Sequence, residues 1–76
     1  MSELVEISFR REIDLELHNL CQPLTALQCL LEMARSVGGL EALQGAVDGG
    51  LEETGRMFEV VAQMRKCLLA QEPAPQ

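Results

Sequence analysis

Apolar residues in the first half of the chain recur in alternating steps of four and three. The repeat consists of Ile13, Leu17, Leu20, Leu24, Leu27, Leu31 and Ala34. Such steps place side chains along one stripe of an α-helix, as in a coiled coil or a helix bundle. Four apolar residues between positions 4 and 9 fit the same helix less regularly, with Ser2 as its candidate N-cap. The pattern predicts helix 1 over about residues 3–36, with a length of about 50 Å.

A turn and a second periodic segment follow this helix. Gly38 and Gly39 supply the backbone freedom of a helix end, which predicts a turn over about residues 37–40. The apolar face after the turn consists of Leu40, Leu43, Val47, Leu51, Thr54, Phe58, Val61, Arg65 and Leu68, widened by Met57, Met64 and Leu69. This face predicts helix 2 over about residues 41–71. Residues 73–76 contain two prolines and are expected to be a linker or tail.

Four glycines lie inside the predicted second helix. Each of Gly45, Gly49, Gly50 and Gly55 costs about 1 kcal/mol relative to alanine in a helix. One interpretation is a break at Asp48 and the two glycines after it, with a shorter helix beyond. The other is a continuous helix whose small residues let its neighbour approach closely. We expect the continuous helix, with a weak first half.

Composition points to one small all-α domain over residues 1–72. The chain has 76 residues, two phenylalanines as its only aromatic residues, and an apolar content dominated by leucine, valine, alanine and methionine. A domain of this size buries roughly 60% of its unfolded surface at most. Two antiparallel helices would leave part of each apolar stripe uncovered. We therefore expect a helical hairpin that pairs with a second copy, as a homodimeric four-helix bundle.

Charge and cysteine content narrow the classes of partner. The formal net charge of −6 and the scattered basic residues make nucleic-acid binding unexpected. The chain has no long apolar run of the kind that indicates a membrane segment or a signal peptide. A cytoplasmic location is therefore expected. The three cysteines and single histidine show no metal-binding spacing. We expect no metal site, and buried or half-buried thiols.

His18 is the only histidine, and it lies one position after the apolar stripe. Its side of the helical wheel carries Asp14, Cys21, Gln22, Thr25 and Cys29. That side is mostly polar, so an exposed or half-exposed imidazole is expected. Pro23 would leave the Asn19 carbonyl without its helical partner, at a cost of about 3 kcal/mol or more.

The stretch HNLCQPLTALQCLLEMA, residues 18–34, resembles the H-box of sensor histidine kinases. That motif is a histidine, an acidic residue, an aliphatic residue, a variable residue, Thr, Asn or Gln, and then Pro-Leu. Its matching positions here are His18, Leu20, Gln22, Pro23 and Leu24. In the family the motif lies on the first helix of the dimerisation and histidine-phosphotransfer domain. The resemblance therefore implies a helical hairpin that dimerises into a four-helix bundle.

The resemblance also implies roles for individual residues. His18 would be the phosphoacceptor that passes a phosphoryl group to an aspartate on a response-regulator receiver domain. Gln22 would position water for dephosphorylation of the regulator, and Pro23 would bend the helix. Asn19 replaces the usual acid, so it could orient the imidazole but could not accept a proton. The expected receiver contacts are Cys21, Leu24, Thr25 and Gln28, with Met57 or Met64 from helix 2.

An ATP site is not expected in this chain, because it lacks a glycine-rich phosphate loop and room for a kinase domain. ATP and magnesium would act only through a separate ATP-binding kinase domain, in cis or in trans. The alternative reading is a non-catalytic dimerisation or interaction module in which His18 is not phosphorylated. A metal- or cofactor-dependent enzyme is not expected, because no convergent ligand set is present.

Overall fold

The computed structural model describes residues 3–70, and these form a hairpin of two antiparallel α-helices. Helix α1 spans Glu3–Val37 and helix α2 spans Leu40–Ala70. The hairpin is 57 Å long and 24 Å wide but only 10 Å thick. The all-α hairpin predicted from the sequence is confirmed. The candidate cap Ser2 and the tail expected at residues 73–76 lie outside the described residues.

Two glycines reverse the chain. Gly38 and Gly39 have φ angles of 72° and 87°, a left-handed conformation that residues with a Cβ atom adopt only at a cost. The Gly38 amide donates a hydrogen bond to the Ala34 carbonyl at 2.9 Å, and the Leu43 amide donates to the Gly39 carbonyl at 3.2 Å. These bonds satisfy backbone groups that a helix end would otherwise leave unpaired.

The residues at the interface between the helices follow a heptad repeat on both helices. On α1 the interface consists of the buried or half-buried residues Phe9, Ile13, Glu16, Leu20, Pro23, Leu27, Leu30 and Ala34. From α2 it takes Ala46, Gly50, Glu53, Met57, Val60, Met64 and Cys67. Among the described residues only Pro23, Ala34, Ala46 and Gly50 are buried. A single hairpin therefore has a thin core that consists mainly of half-buried side chains.

Small residues bring the two helices close together near the turn. The Cδ1 atom of Leu27 lies 3.2 Å from the point that a Cβ atom on Gly50 would occupy. Gly49 lies against Leu30 in the same way. Helix α2 runs through Asp48 without interruption, so the alternative of a break there is wrong. The expected continuous helix, with glycines that permit close approach, is confirmed.

The predicted apolar stripe of α1 divides between two surfaces. Ile13, Leu20, Leu27 and Ala34 face α2, whereas Leu17, Leu24 and Leu31 remain 45%, 51% and 54% exposed. Most of the apolar face predicted for α2 is also exposed rather than packed on α1. Its exposed members include Leu40, Leu43, Val47, Leu51, Phe58, Val61 and Leu68. The e positions of an antiparallel helix pair lie on the same side, so these residues form one apolar face of the hairpin.

Candidate functional site

His18 lies on the solvent-exposed surface of α1, as its position on the helical wheel predicts. The helix continues through Pro23, whose ring is buried against α2, so the imidazole stands one turn before a fixed point of the interface. Cys21, Gln22 and Thr25 are exposed on the same side. His18 is therefore available to a reagent or partner without any rearrangement of the hairpin.

The prediction of buried or half-buried thiols is wrong for two of the three cysteines. Cys21 and Cys29 are exposed, and Cys67 is half-buried between the helices. The reason is geometric, because Cys21 and Cys29 lie on the face of α1 that points away from α2. A hairpin has one partner helix for α1, and that face has none within the described chain.

Asn19 is half-buried and has a defined partner. Its Nδ2 atom donates a hydrogen bond to Oε1 of Glu16 at 3.2 Å, one turn earlier on α1. This bond holds the Asn19 amide towards the interface. An amide cannot act as a base, so the position after the histidine has no group that could accept its proton.

A polar groove lies beside the H-box, on the opposite side of the hairpin from the apolar face. It is lined by Asn19, Gln22 and Pro23 from α1 and by Glu53, Arg56, Glu59 and Val60 from α2. Arg56 forms an ion pair with Glu53, one turn earlier on the same helix. Two amides, two carboxylates and one guanidinium group thus meet in this groove, whose lining does not include His18.

Sequence reasoning identified only the α1 side of this polar groove. Glu53, Arg56 and Glu59 were not candidates, because the alignment of one helix against the other cannot be read from a single sequence. The glycines at positions 49 and 50 were the available signal, since they mark where the large side chains of α1 must fit.

The residues expected to contact a receiver domain differ in their exposure. Leu24 and Gln28 line a shallow depression on the apolar face together with Leu27 and Leu31. Cys21 and Thr25 are exposed next to these residues, on the side towards His18. The other expected contacts, Met57 and Met64, are half-buried in the helix interface. The two methionines are therefore less accessible to a partner than the four residues of α1.

Acidic side chains surround Cys67 near the open end of the hairpin. Partial burial raises the pKa of the Cys67 thiol, and the charges of Glu12 and Glu16 raise it further. The Glu12 side chain also favours the protonated thiol as a nearby acceptor, which raises the pKa in the same direction. Cys67 is therefore a poor nucleophile at neutral pH.

Within residues 3–70 no group of three histidine, cysteine or acidic side chains could hold a metal ion. Nor does either described helix contain a stretch long and apolar enough to cross a membrane. Comparison of the chain with models of known protein families, with curated proteins and with solved structures finds no match.

Proposed function

We propose that the chain is a dimerisation and phosphoacceptor module of the sensor histidine kinase type. In this proposal His18 carries a phosphoryl group and passes it to an aspartate of a response-regulator receiver domain. The supporting observation is the exposure of His18 on the first helix of a hairpin, with Gln22, Pro23 and Leu24 following at the spacing of the H-box.

The chemistry suits an imidazole in this position. A neutral imidazole has a free lone pair near pH 7, so it can attack phosphorus without a strong base. As the N–P bond forms, the bond between phosphorus and the donor oxygen breaks and the donor leaves, while the other ring nitrogen can release its proton to solvent. The N–P bond breaks in turn when the phosphoryl group moves to a carboxylate oxygen of the receiver domain. ATP and magnesium would be supplied by a separate kinase domain, which implies a cytoplasmic location.

The apolar face supports the dimer in this proposal. Leu17, Leu24 and Leu31 lie at heptad spacing on α1, and Val47 and Val61 lie on the same side of α2. A second copy would cover this face through a two-fold axis, because a self-complementary patch closes without another partner. His18 and the polar groove lie outside this face, so both remain accessible in the four-helix bundle.

A second candidate is an interaction module that dimerises but is not phosphorylated. The observation in its favour is Asn19, whose amide is bound to Glu16 where the family has a free acid. In this reading the apolar face would be retained, and the imidazole would have no role. The two candidates agree about the dimer and differ only about His18.

Phosphoryl transfer separates the two candidates. The chain would be mixed with phosphorylated receiver domains, and separately with ATP and ATP-binding kinase domains encoded in the same genome. We expect intact mass to rise by one acid-labile phosphoryl group in the wild type and not in His18→Ala. A folded dimer that takes no phosphate from any donor would favour the interaction module.

A further inference from the structure

A single hairpin has a very small core. Ala34 and Ala46 are the only buried hydrophobic side chains in the described part of the chain, and no large side chain there is fully buried. The hairpin is also a single layer of helices, 10 Å thick, whereas a stable domain packs two layers around one core. We propose that a second copy supplies the missing layer, so that the chain folds and pairs in a single step.

This inference goes further than the existence of a dimer. It rests on the dimer of the proposed function, which both candidate functions share, but not on phosphorylation of His18. It adds that an unpaired hairpin is not stably folded, so the stability of the fold depends on the concentration of the chain.

The apolar face has the dimensions of a stable homodimer interface. It lies on one side of a hairpin 57 Å long and 24 Å wide, so each copy can bury on the order of 1,000 Å². Stable homodimers bury about 2,000 Å² or more in total. A single partner helix is about 10–12 Å wide and would cover about half of this width, whereas a second hairpin matches all of it.

Thr54 is a polar residue in the apolar row of α2, between Val47 and Val61. Its hydroxyl group donates a hydrogen bond to the Leu51 carbonyl at 3.0 Å, within the same helix. Covering a hydroxyl group is costly when the group loses its hydrogen bond to water and gains no other. Thr54 keeps its bond when the face is covered, so the row can form part of a dry interface.

The charges of the chain leave the apolar face open to a second acidic copy. The sequence has twelve acidic residues against six basic ones. Three of the six basic residues, Arg10, Arg35 and Arg65, lie at the e and b heptad positions of this face, with Glu3 and Asp14 as its acidic residues. The other acidic residues of the two described helices occupy other heptad positions. Pairing through this face therefore does not bring the excess negative charge of two copies together.

The test follows helix content and mass as functions of chain concentration. Far-UV circular dichroism reports folding, and sedimentation equilibrium reports pairing. When folding requires pairing, the melting temperature falls on dilution, by about 5–10 °C for a 100-fold dilution of a chain of this size. Helix content and the dimer should be lost together at every concentration.

Two matched substitutions on α1 separate pairing from helix formation. Leu31 is 54% exposed on the apolar face, and Met33 is 63% exposed on the opposite side of the hairpin. Leu31→Lys should lose helix content at concentrations at which the wild type is folded, and should regain it at concentrations about 100-fold higher. Met33→Lys introduces the same charge and should melt like the wild type. A hairpin that is stable by itself would stay helical in both variants.

Three results would overturn the proposal. The first is a helical monomer at high dilution, since the hairpin would then be stable without a partner. The second is a melting temperature that does not change with concentration. The third is a wild-type chain without helix content at the highest concentration that stays in solution, because a different protein would then have to cover the apolar face.

The outcome is separable from that of the proposed function. His18 lies outside the apolar face, so His18→Ala should melt like the wild type at each concentration. A chain that folds on pairing but accepts no phosphoryl group would refute the phosphoacceptor role and support the coupling of folding to pairing.

Discussion

The Cδ1 atom of Leu30 lies 2.8 Å from the point that a Cβ atom on Gly49 would occupy. Real Cβ atoms do not approach a neighbouring carbon this closely, so any other residue at position 49 must displace the leucine. Gly50 meets Leu27 at the slightly longer distance of 3.2 Å. The two glycines thus leave the space that the Leu27 and Leu30 side chains occupy.

This close packing predicts that alanine substitutions at the glycines of α2 have unequal effects on the stability of the fold. Gly45 and Gly55 have open space around them, so Gly45→Ala and Gly55→Ala should each stabilise the fold by about 0.5–1 kcal/mol through helix propensity. Gly49→Ala gains the same propensity but must push Leu30 aside. Its free energy of unfolding should fall at least about 1 kcal/mol below that of the other two. Urea denaturation at one chain concentration measures the difference.

An equal gain from all three alanines would contradict the close approach of the helices at this point. The double variant Gly49→Ala with Leu30→Ala serves as the control. Removing the isopropyl group of Leu30 should make the effects of the single changes non-additive, because the residues share one contact.

The apolar face predicts that a charge on it dissociates the dimer. Leu31 is 54% exposed in one hairpin and would be covered twice in a two-fold assembly. Leu31→Lys should raise the dimer dissociation constant at least about 100-fold, since burial of one leucine contributes about 1.5–3 kcal/mol. Sedimentation equilibrium gives the constant. Ser36→Lys, exposed on another face of α1, should leave it unchanged; dissociation by both changes would point to charge alone.

The hydrogen bond from Asn19 to Glu16 predicts how an acid at position 19 behaves. Asn19→Asp restores a proton acceptor beside His18, and general bases contribute roughly 100-fold or more to rate. The new carboxylate would also face Glu16, which now accepts a hydrogen bond from the amide. The single change should therefore give less than the full gain in phosphoryl transfer from a kinase domain. Asn19→Asp with Glu16→Gln should give more, and Glu16→Gln alone should give none.

Cys67 predicts a loss of stability in alkaline solution. The thiol pKa is raised in the folded chain, so the unfolded chain releases this proton first as pH increases. The contribution to stability is intact below the ordinary thiol pKa of 9.0 and is lost as pH rises through the higher folded value. Cys67→Ser should lessen the decline in the free energy of unfolding above that pH. Cys29→Ser, at an exposed position, should decline like the wild type.

Periodicity was sufficient to predict two helices, their turn and the exposure of His18. It could not show which apolar residues pack between the two helices and which remain exposed. The predicted stripe of α1 merged Leu20, which faces α2, with Leu24, which does not. On α2 the large side chains predicted the wrong packing face, because the helices approach through Ala46 and Gly50. Small residues give a weak hydropathy signal but decide how close two backbones can come.

The α2 side of the polar groove was invisible in the sequence for a related reason. Arg56 and Glu53 read as one ordinary i, i+3 ion pair on a helix surface. Only the alignment of α2 against α1 brings them beside Gln22. A change of one residue in that alignment would rotate a different set of side chains into the groove.

The two-glycine turn also has a consequence for the order in which the chain folds. Ala34 and Ala46 are the buried side chains nearest to the turn, and joining them closes a short loop. Each contact farther out closes a longer loop at a higher entropic cost. Assembly is therefore least costly when it starts at Gly38 and Gly39 and proceeds outward, which is typical of fast-folding helical proteins with local contacts. The turn of α1 that contains His18 packs on α2 midway through this process, and the open ends of the two helices pack last.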